Sequence, residues 1–82
     1  MKYQFYEVVK VVRSYSSIRE IDGKVGVVVG FSNDDIGNEI FSVLIAETEE
    51  VWSIPEDEIE ATGQVLTKLQ YENRDYIGLL EK

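Results

Sequence analysis

Apolar runs of strand length, rich in aromatic and β-branched residues and set apart by polar turns, recur over the first three quarters of this chain and predict strands. From Tyr3 to Val12 the residues Y-Q-F-Y-E-V-V-K-V-V are aromatic or β-branched, the composition of a pleated surface. One face of that strand carries Tyr6, Val8 and Val12, the other Phe5, Val9 and Val11, so both faces meet apolar surroundings. A long strand curling around a small barrel accounts for that. Ser14-Tyr15-Ser16-Ser17 opens a loop that Asp22-Gly23 closes. A second strand, Lys24 to Phe31, is framed by Gly26 and Gly30, which mark a bulge or a place where a side chain would block close backbone approach. Ser32–Asn38 (S-N-D-D-I-G-N) is the clearest turn. Glu39–Ala46 alternates again, Glu47–Glu50 is a short polar connection, and Val51–Ile54 resumes as strand. Ser53-Ile54-Pro55-Glu56 fits an S-x-x-E capping box and predicts a single helical turn before a last strand at Ile59–Thr62, ended by Gly63.

The expected fold is therefore all-β: about five antiparallel strands in the order of a small SH3-like barrel, with one short helical turn before the last strand. A single domain of 82 residues is implied, the barrel covering about 3–63, with a poorly defined C-terminal extension over 64–82. In that extension Leu66, Leu69, Tyr76, Leu79 and Leu80 have helical spacing, but Gly78 and Asn73-Arg74-Asp75 favour short irregular pieces.

Charge changes the picture more than composition does. Eight basic and sixteen acidic residues give a net charge of −8, and residues 25–67 hold ten acids and no base. Phosphate backbones and anionic membranes are repelled by such a surface, so neither nucleic acid nor a membrane is an expected partner. A basic protein is attracted, and its encounter accelerated. No apolar run approaches the roughly 20 residues that span a bilayer, and Glu7 and Lys10 interrupt the only candidate signal-peptide core. The expected location is the cytoplasm.

Candidate chemistry is sparse. The chain has neither cysteine nor histidine, which removes disulfides, thiolate and imidazole metal sites, cysteine nucleophiles and histidine acid–base catalysis. An EF-hand register with Gly37 at its sixth position puts Ile36 fifth and Val43 twelfth, where oxygen ligands are needed. Glu56-Asp57-Glu58 and Glu60 supply carboxylates on one tight turn, but acids at a helix start are explained by the peptide dipole alone. Neither a cofactor nor a metal nor an enzymatic activity is expected. Trp52, the sole tryptophan, suits either a partly buried core position or an exposed anchor.

The run G-K-V-G-V-V-V-G-F at 23–31, followed by E-V-W-S-I-P-E-D-E-I-E-A-T-G at 50–63, resembles the immunity protein 31 family of bacterial polymorphic toxin systems. The opening F-Y-E-V-V-K-V-V at 5–12 is similar to the first strand of that family. The distinctive part is carried by Trp52, Ser53, Ile54, Pro55, Glu56, Glu58, Ile59, Glu60, Thr62 and Gly63. The resemblance implies a small β-rich bacterial protein that binds and neutralises a cognate toxin. Charge complementarity to a basic toxin, such as a nuclease, then points to Asp34, Asp35, Glu47, Glu49 and Glu50 as contacts, with Trp52 as anchor. The alternative is an SH3-like adaptor or regulatory interaction module unrelated to toxins. Either would be a monomer, or a homodimer formed through an exposed edge strand.

Overall fold

The structure, a computed structural model, describes residues 2–12 and 20–81, with side chains as far as Gly78. The expected Ser14–Ser17 loop opening lies outside the described residues. The chain is all-β, with five antiparallel strands in one sheet: β1 (Glu7–Val11), β2 (Val25–Asn33), β3 (Glu39–Ile45), β4 (Val51–Pro55) and β5 (Ile59–Val65). Their order across the sheet is β4-β3-β2-β1-β5. The single helical turn falls where expected, a 3-10 turn at Glu56–Glu58 joining the two outer strands. It is not made by a capping box. Pro55 is its N-cap and no side chain caps it, because Ser53 is still within β4.

The first strand is shorter than the Tyr3–Val12 run suggests. Tyr6 has a φ of 66°, a left-handed backbone that breaks the extended run before Glu7. Tyr3 instead turns inward: its ring meets Phe41 edge-on at 5.1 Å, and its hydroxyl donates to the Ile59 carbonyl at 2.9 Å. β5 runs past Gly63 to Val65, longer than expected. Between Glu7 and Val9 the pairing with β5 jumps from Val65 to Ala61, and Gly63, at φ 87°, takes up the excess as a bulge. The Thr62 hydroxyl donates to the Val8 carbonyl at 2.9 Å inside that bulge.

Both faces of the sheet are buried, but not through strand curling alone. Val9, Val11, Val28, Phe41, Val43, Ile45, Ile54 and Ile59 form one cluster with Tyr3 and Ile21. On the other face Val8, Val27, Leu44 and Ala46 are covered by the C-terminal segment through Leu66 and Tyr76. Each valine, leucine and isoleucine among them contributes about 1.5–3 kcal/mol when fully buried. That segment holds a short helix, α1 (Lys68–Glu72), followed by a 3-10 stretch at Asp75–Glu81. At α1 a capping box does exist: Thr67 Oγ1 accepts from the Gln70 amide at 3.0 Å, and Gln70 Oε1 accepts from the Thr67 amide at 2.8 Å. Leu69 faces outward. No helix among the described residues is long and apolar enough to cross a membrane.

Candidate partner-binding surface

The turn after β2 is built by Asp34. Its Oδ1 accepts from the backbone amides of Asn38 (2.8 Å) and Ile36 (3.0 Å), and Gly37 takes a φ of 90° to close the loop. The Asn38 amide foremost, with Ile36 and Gly37, holds the Asp34 carboxyl below the usual carboxylate range, so it is ionised at neutral pH. Antiparallel pairing of β3 with β4 sets Ile40 opposite Pro55. One step before Ile40, Glu39 opens β3 beside the turn at Glu56–Glu58 that follows β4.

These pieces enclose a surface groove of about 320 Å³. Ile40 and Pro55 provide apolar lining, while Asp34, Glu39, Glu56, Asp57 and Glu58 contribute carboxylates and Asn38 an amide. Among the described residues that line it, none is basic. Among the described residues no group of acids is arranged to hold a metal ion. Carboxylates spread over a groove with apolar lining match the heads and stems of lysine or arginine side chains.

The residues singled out by sequence fall in different places. Asp34 and Asp35 are on the β2–β3 turn, at the groove or next to it, and Asp35 is exposed. Glu47, Glu49 and Glu50 lie at the other end of β3, roughly 20 Å away at the rise of an extended strand. Glu47 pairs with Lys24 at 2.6 Å. Glu49 is engaged within the fold: Arg74 Nε donates to its Oε1 at 2.7 Å, a second guanidinium nitrogen bonds Oε2, and the Tyr76 hydroxyl donates to Oε1 at 2.8 Å. Glu50 is exposed. Trp52 is half-buried against the Val9–Phe41 cluster. Sequence reasoning separates Glu39 from Glu56–Glu58. The signal that joins them is the register of the β3–β4 hairpin, fixed by the short Ala46–Glu50 connection.

The Glu49 contacts carry a pH prediction. Arg74 first, then Tyr76, hold the Glu49 carboxyl below its ordinary range. A depressed folded-state value means that the ionised carboxylate stabilises the fold above the ordinary glutamate value of about 4.3 and loses that contribution as pH falls through the lower folded-state value. Glu49→Gln should therefore melt below the native chain at pH 7. The gap should close as pH drops below about 4.3, which thermal unfolding monitored by circular dichroism would record. A gap independent of pH would refute this role of the carboxylate.

Comparison with protein-family models, curated proteins and solved structures finds no match for this chain.

Proposed function

We propose that this chain is a non-catalytic inhibitor that binds a basic protein partner, a toxin of the polymorphic kind, through the acidic groove between the β2–β3 turn and the turn at Glu56–Glu58. The observation that supports this most directly is the groove itself, in which the carboxylates of Asp34, Glu39, Glu56 and Asp57 line one cavity beside the apolar Ile40 and Pro55. The resemblance of residues 5–12, 23–31 and 50–63 to immunity proteins supplies the toxin as the partner class. Such an inhibitor is encoded beside its toxin, and the toxin presents a cationic surface. Electrostatic steering then speeds their encounter.

The test is co-expression with the protein encoded by the adjacent gene. The native chain should relieve the growth arrest that protein causes. Glu56→Lys combined with Asp57→Lys should slow association at low salt by about tenfold or more and weaken protection, while circular dichroism shows the sheet intact. Failure of the native chain to protect, or capture of RNA in place of a basic protein, would overturn the reading. One observation favours an adaptor instead. Phe5 and Phe31 present rings 5.7 Å apart, tilted at 55° to each other, that remain 48% and 46% exposed, an apolar contact surface separate from the groove. Capture of a partner that survives the double lysine variant and is lost in Phe5→Ala would support that second reading.

A further inference from the structure

We infer that residues 66–78 form a strap that opens as a unit while the sheet stays folded, uncovering the apolar face made by Val8, Val27, Leu44 and Ala46. The core is divided in a way that permits this. The ten-residue cluster around Val9 and Phe41 contains no residue of the strap, so the sheet keeps that core when the strap leaves. Leu66 and Tyr76 are buried only in the second cluster, with Tyr71 packed at its margin. Helix α1 has five residues, too few to persist in water without its docking.

Among the described residues the fastening is concentrated at two points. At one, the Leu66 amide donates to the Tyr6 carbonyl at 2.8 Å, and the rings of Tyr6, Tyr71 and Tyr76 follow one another at 5.0 and 5.8 Å. At the other, Glu49 receives Arg74 and Tyr76. Tyr6, Glu49 and Arg74 are also the non-glycine residues with positive φ among the described residues, at 66°, 58° and 61°. Among the described residues, the left-handed strain carried by non-glycine residues therefore sits at this clasp, and opening releases it for Arg74, whose strap is then unconstrained. The ion pair is solvent-accessible, with Arg74 57% and Glu49 37% exposed, so water competes for it directly. A segment with a separate small core, exposed fastening and local strain has the properties of a low-stability cooperative unit.

The chain has no cysteine, so a single introduced thiol reports opening without background. Ala46→Cys places a thiol under the strap, where Ala46 is 2% exposed, and Val28→Cys places one in the other cluster, where Val28 is 1% exposed. Under native conditions a thiol reagent should label Ala46→Cys at least about tenfold faster than Val28→Cys. Adding Arg74→Ala should speed the first by about threefold or more and leave the second unchanged. Hydrogen exchange on the unsubstituted chain is the independent check: the amides of Tyr71 and Asn73 should exchange ahead of those of Val28 and Val43. Equal labelling of both thiols, equal acceleration by Arg74→Ala, or exchange of strap and sheet amides at one common rate would overturn the inference.

Discussion

Phe41→Ala is expected to cost about 3–5 kcal/mol of folding stability, the range for emptying an aromatic site in a packed core. Phe41 lies in β3, fully buried, with Ile54 of β4 and Phe31 of β2 as its strand partners. The ring also supports Tyr3 edge-on. Its loss withdraws the packing that holds the Tyr3 hydroxyl on the Ile59 carbonyl, where the turn at Glu56–Glu58 enters β5. A domain of this length has about 4–12 kcal/mol in total, so the variant should melt at least about 12 °C lower. Urea titration followed through Trp52, the only tryptophan, measures the change directly. Leu69→Ala, at a position 66% exposed on α1, should stay within about 0.5 kcal/mol and serves as control. A loss below about 1 kcal/mol for Phe41→Ala would mean that the cluster rearranges to fill the site, and that the two cores are not separate.

The sheet was legible because its signals are local. The Ser32–Asn38 turn, the Glu47–Glu50 connection and the alternation of Glu39–Ala46 each fix one hairpin boundary within a few residues, and the observed strands follow them. The start of β1 was not legible. Tyrosine carries no preference for a left-handed backbone, and the ring that Tyr6 packs against, Tyr71, lies some 65 positions along the chain. The helix α1 does have a local signal, Thr67 followed by Gln70 at capping-box spacing, but it is five residues long and shows too little periodicity to be read. The second buried face was visible as valines on both sides of β1; what covers it was not, since Leu66 and Tyr76 are separated by turns and reach the sheet only through tertiary packing. The groove was hidden for a similar reason. Asp34, Glu39 and the acids of 56–58 each look like solvated turn residues, and only the β3–β4 register gathers them. Glu49 shows a converse feature: an acid in a charged loop that reads as a contact residue is also bonded within the fold, to Arg74 and Tyr76.

Two glycines of β2 should respond to alanine with opposite signs. A Cβ on Gly26 would lie 2.5 Å from Val43 Cγ1 and 2.7 Å from the Leu44 carbonyl oxygen. Neither neighbour can yield easily. Val43 is fully buried in the first cluster, and Leu44 is backbone-paired with Val27 on one side and Val51 on the other. Gly26→Ala must therefore spread β2 from β3 at the centre of the sheet, at a cost of about 1–3 kcal/mol or more. Gly30 stands just beyond the bulge at Val28/Gly30, where the sheet is locally wider. Its Cβ would meet the Ser42 side chain at 3.5–3.6 Å, ordinary contact, and its φ is not in the left-handed region. Gly30→Ala should be neutral or gain up to about 1 kcal/mol by restricting the unfolded chain. Urea midpoints of the two variants, measured side by side, decide the matter. A destabilised Gly30→Ala together with a tolerated Gly26→Ala would mean that the close approach of β2 and β3 lies at the bulge and not at Gly26, and it would shift the register that carries Glu39 to the groove.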